Sequence, residues 1–170
     1  MRRKPTKQTI LLVLGLIVGF FLYRIGQDVW SLQRAGFFEQ IEKQEYQASR
    51  LDNLKALHTA LTLYHDSEGQ YPSAAGWMDA IEPSLNTADL KDGESKKKMI
   101  RPDLAAQPGA YGYGISSAAA GKFKDDVPEK GSAILVFESK ATTRNATGEA
   151  KTEGLPKGKA VTIDGAIVEF

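Results

Sequence analysis

The 170-residue chain contains no cysteine, which excludes disulfide scaffolds, thiolate metal sites and cysteine nucleophiles. It has two histidines, His58 and His65, too few for a histidine-rich metal site. It also lacks an excess of either charge, with 22 Lys and Arg against 21 Asp and Glu. A general nucleic-acid binder would show a clear basic excess or stripe, so no nucleic-acid partner is expected. Charged residues make up 25% and apolar residues 42%. That is ordinary globular usage, and it argues against charge-driven disorder. Enzyme chemistry would have to fall to carboxylates, Ser, Lys or Tyr.

The near-zero total charge hides an asymmetry. Arg2, Arg3, Lys4 and Lys7 head the chain with no acid among them, leaving 18 basic against 21 acidic residues in the remainder. Behind this head comes an apolar run of Ile10, Leu11, Leu12, Val13, Leu14, Gly15, Leu16, Ile17, Val18, Gly19, Phe20, Phe21, Leu22 and Tyr23. Three readings compete. A buried core helix is the default for a run of this length, but it does not usually start behind a cationic cluster. A cleaved signal peptide needs a small-x-small site, and the next residues are Arg24-Ile25-Gly26-Gln27-Asp28. An uncleaved membrane anchor is the favoured reading. The run is short for a hydrocarbon layer ~30 Å thick, and the gap closes if Gln8, Thr9 and Ile25 join it while Lys7 and Arg24 snorkel. Trp30 is a candidate for the far interface. The positive head then lies in the cytoplasm and the rest of the chain outside it.

Beyond the anchor the pattern stays helical. Leu51, Leu54, Leu57, Leu61 and Tyr64 recur at spacings of 3, 3, 4 and 3, one apolar face of an amphipathic helix. Gly69 is a C-terminal stop signal and Pro72 prevents continuation. The reading is one helix from about residue 6 to 67, a spine whose last third packs on something. Four segments follow: a cytoplasmic head over 1–8, a transmembrane anchor over 9–27, a spine helix over 28–68, and a globular head over 69–170.

The globular part carries weaker signals. Ala74 to Ile81 reads as a short helix with Trp77 and Ile81 on one side. Asn86 to Arg101, centred on Lys96-Lys97-Lys98, reads as a solvated loop. Tyr111 to Ile115 alternates aromatic with glycine, like a tightly packed strand. Ala133 to Phe137 is a buried-strand run, and Thr142 to Gly158 reads as a loop or irregular edge. Lys159–Ile163 and Ala166–Phe170 read as two strands joined by Asp164-Gly165 in a two-residue type I′ turn. The expected fold class is α+β, a long membrane-anchored helix packed on a three- or four-stranded antiparallel sheet.

This order of features resembles the type IV pilin and type II secretion pseudopilin superfamily. Asn53 to Pro72 is similar to the end of the spine helix in major pseudopilins, where a Gly-x-Tyr-Pro turn leads into the head. Gly69, Tyr71 and Pro72 form that turn here. The stretch through Asp164-Gly165 resembles pilin-like proteins whose sheet ends in an aspartate–glycine hairpin with a histidine ten positions upstream. That position is Gly154. Prepilins also carry a glycine at the border of basic head and apolar run, whereas this chain has Lys7-Gln8-Thr9-Ile10. Maturation by a prepilin peptidase is therefore not expected.

The resemblance implies a non-enzymatic, pilin-like or pseudopilin-like assembly subunit of a secretion or pilus-type system. Its partners would be the membrane and other proteins, pilin-like subunits among them. It would be a single-pass protein of the bacterial inner membrane with a periplasmic head, and no cofactor or small-molecule substrate is expected. The rival is a membrane-tethered binding module that uses the fold without polymerising. Catalytic signals are weak. His58 and His65 lie ~10 Å apart along a helix axis, Ser73, Ser116 and Ser117 lack a nucleophile elbow, and Gly109, Gly112 and Gly114 form no phosphate loop. Asp164 is already explained by its turn, and Asn145-Ala146-Thr147 is a glycosylation sequon only in a suitable compartment.

Overall fold

The structure, a computed structural model, describes residues 45–129 and 131–170. The basic head, the expected anchor and residues 28–44 of the expected spine lie outside the described residues. Among the described residues no helix is long and apolar enough to cross a membrane.

Helix α1 spans Arg50–Glu68. The expected unbroken spine is corrected here, because residues 45–49 are not helical. Ser49 is extended, with φ −121° and ψ 153°, and its side chain accepts the Asp52 N–H. A serine oxygen that takes a backbone donor in this way starts a helix. At the other end Gly69 adopts φ 79° and donates its N–H to the His65 carbonyl at 2.7 Å, a left-handed cap that glycine enters without strain.

The stripe on α1 is narrower than its spacing suggests. Leu54, Leu57 and Leu61 are fully buried and Tyr64 is half-buried, but Leu51 is 36% exposed. Each residue advances about 100° around a helix, so two steps of three rotate the stripe by about 120°. One flat sheet cannot cover both Leu51 and Leu57, and the core takes the later residues.

A 3-10 turn at Ala74–Gly76 leads into α2, Trp77–Leu85, which buries Trp77, Met78, Ile81 and Leu85. The stretch read as a solvated loop instead forms a 3-10 helix at Glu94–Met99 that buries Ser95, Lys98 and Met99. Lys98 folds inward because its stem covers apolar surface, while its Nζ donates to the Leu85 carbonyl at 2.8 Å.

Five strands form one sheet: β1 Tyr113–Ser116, β2 Ile134–Glu138, β3 Ala146–Gly148, β4 Lys159–Thr162 and β5 Ile167–Glu169. Their order is β3-β1-β2-β4-β5. The β1–β3 pair is parallel and the others are antiparallel, so the sheet is mixed rather than purely antiparallel. The fifth strand arises within the stretch read as a loop, where the Trp77 indole donates to the Ala146 carbonyl at 3.0 Å and β1 offers a free edge. A short helix, α3, follows at Ala150–Glu153.

The strands feed two apolar clusters, and a register shift between Ile134 and Val136 accompanies the placing of adjacent Leu135 and Val136 in the same one. Ile115, Leu135, Val136 and Val161 join the leucines of α1 and Trp77, Met78 and Ile81 of α2 in the main core. Phe137, Ala150 and Ala160 form a smaller cluster, with Ile134, Val168 and Phe170 against it. A Cβ at Gly154 would lie 2.0 Å from the Phe170 ring, so no side chain fits there.

The β4–β5 turn sits where Asp164-Gly165 predicts, but its type differs. Gly165 N–H donates to Thr162 O at 3.0 Å and Thr162 N–H to Ala166 O at 2.9 Å. Gly165 has φ 86°, whereas Asp164 does not have positive φ. The loop is three residues, Ile163 to Gly165, with the glycine in the left-handed position. Ile163 is buried and its N–H donates to Ala133 O at 2.9 Å rather than across the hairpin, so it joins the loop instead of closing a two-residue turn.

Leu61→Ala should lower the unfolding free energy by about 2–5 kcal/mol, the range for a buried leucine truncation. Leu63→Ala, at a residue 52% exposed, should change it by less than about 0.5 kcal/mol. Urea denaturation of the two variants checks this, and equal losses would contradict the buried face.

Candidate functional site

The two sequence motifs, far apart in the chain, meet on α1. The His58 ring packs beneath Gly165, and its Nε2 lies 3.0 Å from the Ile163 carbonyl. Seven residues on, His65 Nε2 accepts the Lys124 N–H at 3.2 Å, and its ring packs on Tyr71 with centroids 4.9 Å apart. Tyr71 and Pro72 are buried and Asp164 is exposed, 3.4 Å from the Lys124 ammonium. Each histidine therefore holds a separate loop against the helix. Among the described residues no group of three or more His, Asp or Glu is placed to hold a metal ion.

The N-terminal end of α1 meets a buried polar layer. The Glu138 side chain has no solvent exposure. It accepts two hydrogen bonds from the Arg50 guanidinium, and the Lys159 N–H at 2.7 Å. The Glu138 contact and its hydrogen bonds hold Arg50 more firmly charged than a free arginine. Beside it Arg101, 5% exposed, donates to Asp103 at 2.7 and 3.0 Å, to Ser139 O at 2.7 Å and to Gly112 O at 3.3 Å. A Cβ on Gly112, at φ 83°, would meet Leu104 at 2.6 Å, so only glycine lets the backbone approach this arginine. The Arg101 hydrogen bond holds the Asp103 carboxyl below the usual carboxylate range.

Asn53, fully buried within the leucine face, completes the layer. Its amide donates to Lys97 O at 3.2 Å and Ile100 O at 2.7 Å, and its oxygen accepts the Tyr46 hydroxyl at 2.7 Å. The neighbouring Tyr113 hydroxyl is buried without a hydrogen-bond partner. Burial, with the Glu138 charge, pushes its ionisation far up.

A third cluster joins α2 to the loop before β3. Arg144 bonds Asp79 at 2.9 Å, Glu82 at 2.6 Å and the Tyr111 hydroxyl at 2.8 Å, and its guanidinium lies 5.2 Å from the Tyr111 ring centroid. Partial burial opposes its charge, but these bonds outweigh it and raise its pKa. Asn145, at φ 59°, accepts the Met78 N–H at 2.8 Å and donates to Asp79 at 2.7 Å. Its amide nitrogen is therefore engaged in the fold, and the sequon is explained by packing. A cleft of about 370 Å³ opens beside this cluster, lined by Asp79, Glu82, Pro83, Asn86 and Ser95. Both of its carboxylates already face Arg144, which leaves the cleft little net field for a charged ligand.

Chemically these clusters hold elements together. None pairs a nucleophile with a base aimed into a cleft. Arg50, Asn53, Arg101, Glu138 and Arg144 were not singled out in the sequence. The visible signals were slight: a carboxylate closing the apolar run at Glu138, and an asparagine inside a leucine face. Comparison of the chain with protein-family models, curated proteins and solved structures finds no match.

Arg50→Met should destabilise the fold by about 2–4 kcal/mol, because it leaves the Glu138 carboxylate buried without its charge partner. Arg50→Met combined with Glu138→Leu should recover part of that loss. A double-mutant cycle measured by urea denaturation gives both values, and strict additivity would show that the pair does not act as a unit.

Burial, with the Asp52 charge, pushes the Tyr46 hydroxyl from 10.0 up to about 12. The unfolded chain loses this proton first, so between those values the folded state binds more protons and stability falls as pH rises. By pH 11 the loss is about 1 kcal/mol. Comparing the drop in urea midpoint from pH 8 to pH 11 in the native chain and in Tyr46→Phe checks this, and the variant should show the smaller drop.

Proposed function

We propose that the chain is a non-enzymatic, membrane-anchored assembly subunit of pilin-like or pseudopilin-like type. The observation that carries this reading is the meeting of the two motifs on one helix. The Gly69-x-Tyr71-Pro72 turn and the Asp164-Gly165 hairpin both close on α1 through His65 and His58. A helix gripped at two levels is a rigid rod that carries a head. Its other flank stays open, with Leu51, Lys55, Thr59, Leu63 and Asp66 exposed, as lateral packing between rods requires. The sheet supplies the wall that buries the rod's inner face.

The apolar run from Ile10 to Tyr23 supports anchoring, and the +4 head supports a periplasmic position for the globular part. The rival reading, a tethered binding module that does not polymerise, draws support from the missing glycine at the Lys7-Gln8-Thr9-Ile10 border.

Two measurements test the proposal. A reporter active only in the cytoplasm, fused after Phe170, should be silent, and strong activity would overturn the orientation. Because the chain has no cysteine, Leu63→Cys introduces a single thiol on the open flank of α1. Oxidation in membranes should yield a cross-linked dimer. Its absence, with the reporter silent, would favour the tethered module.

A further inference from the structure

The two histidines of α1 hold their loops through bonds of opposite polarity. His58 Nε2 faces the Ile163 carbonyl at 3.0 Å. A carbonyl only accepts, so this nitrogen carries a proton. His65 Nε2 faces the Lys124 N–H at 3.2 Å. A backbone amide only donates, so this nitrogen carries a lone pair. The His65 proton then sits on Nδ1, 3.5 Å from the Asp66 carboxylate. Adding a second proton leaves the His58 bond in place, because both nitrogens of an imidazolium donate. The same event at His65 sets N–H against N–H, and turning the ring over restores no acceptor.

The segment that His65 holds is short and lies at the surface. At one end the Lys122 carbonyl accepts the Tyr71 N–H at 2.9 Å. At the other, Val127 is set in the main core. Between these fixed ends lie Phe123 and the 3-10 turn Lys124–Asp126. Phe123, Asp125 and Asp126 are exposed and Lys124 is half-buried. The Lys124 ammonium pairs with Asp164 at 3.4 Å, both side chains about half open to water, and such a pair contributes little. A stretch with so little buried apolar surface opens at low cost.

We propose that residues 123–126 form an acid-released latch: protonation of His65 frees them from the end of α1, while His58 keeps the Asp164-Gly165 hairpin in place. Histidine is the side chain whose charge ordinarily changes between pH 5 and 8, and the chain has these two. The latched form requires a neutral His65, and the released form binds a proton there. Latching therefore weakens as pH falls. Charged groups act on the ring in both directions. Asp66 on α1 and Asp164 on the hairpin favour the imidazolium, as does its place in the last turn of the helix. Lys124 on the latch opposes it, beside Asp125 and Asp126 on the same segment, and Tyr71 on the adjoining turn packs against the ring. These groups set where the switch lies on the pH axis. None reverses its sign, because no imidazolium nitrogen accepts a hydrogen bond. Release takes the Phe123 ring from its place beside Gly69 and opens the last turn of α1 to water. The latch lies wholly within the head and does not depend on anchoring or assembly.

The test follows the isotope-labelled intact chain in detergent micelles by NMR, from about pH 7.5 to about pH 5. At the upper end the ring-nitrogen shifts should show Nε2–H at His58 and Nδ1–H at His65, opposite tautomers on one helix. As the His65 ring gains its proton, the protection of the Lys124 amide from hydrogen exchange, corrected for the intrinsic rate at each pH, should fall about fivefold, the loss of one ordinary hydrogen bond. The Gly165 amide should keep its protection. His65→Gln cannot titrate, so the step at Lys124 should vanish. Unchanged shifts in β2 and β4 show that the fold is intact. The titration of the native chain decides the matter alone if that variant does not fold. The proposal is overturned if neutral His65 carries its proton on Nε2, or if Lys124 protection does not follow the His65 ring. A step that survives in His65→Gln, or a Gly165 amide that loses protection in the same step, overturns it equally.

Discussion

A carboxylate with no access to water constrains the whole head. Glu138 ends a strand whose other residues are apolar, and it lies at the centre of a five-stranded sheet. Left alone there, its charge would cost several kcal/mol. Arg50 and the Lys159 N–H meet it, so the start of α1, strand β2 and strand β4 are tied at one point. A cation in the first turn works against the helix dipole. The arginine is tolerated there because it answers a buried charge on the sheet. With His58 and His65 tied to loops further along, the helix can neither slide nor roll on the leucines between.

The edges of the head are held differently. Beyond the central strands, side chains bond to backbone. The Trp77 indole meets Ala146 O, Asn145 meets Met78 N–H, and Arg101 meets Gly112 O and Ser139 O. Such bonds fix loops that lack strand partners. Glycine makes some of these approaches possible, at Gly112 under Arg101 and Leu104 and at Gly154 under Phe170. The resemblance places a histidine at the second position. Here an aromatic ring fills the space instead.

What was legible in the sequence followed from short-range pattern. Leu54, Leu57 and Leu61 declared the buried face of α1, Gly69 declared its end, and the apolar run from Ala133 declared β2. The hairpin between β4 and β5 was placed by Asp164-Gly165, although its loop takes in Ile163, whose N–H turns to Ala133 O. What was not legible depended on distant partners. Nothing local separates Glu45–Ser49 from a continuing helix, since its docking partners are Lys91, Glu94 and Lys98. Ala146–Gly148 is too short to show alternation and becomes a strand because β1 has an open edge. Arg50 and Glu138 stand 88 residues apart, so no spacing rule links them. The apolar run from Ile10 to Tyr23, the strongest single signal in the sequence, lies outside the described residues.

The indole of Trp77 has one more consequence. It is wholly shielded from solvent, and its N–H is committed to the carbonyl of Ala146 in the edge strand β3. Such a ring emits at short wavelength while the edge is closed and shifts to the red once water reaches it. The chain's other tryptophan, Trp30, is absent from any segment that begins after it. In such a segment the intrinsic fluorescence comes from one residue, and it reports on the parallel edge of the sheet. The fold thus carries its own optical label at the junction that sequence pattern alone could not reveal.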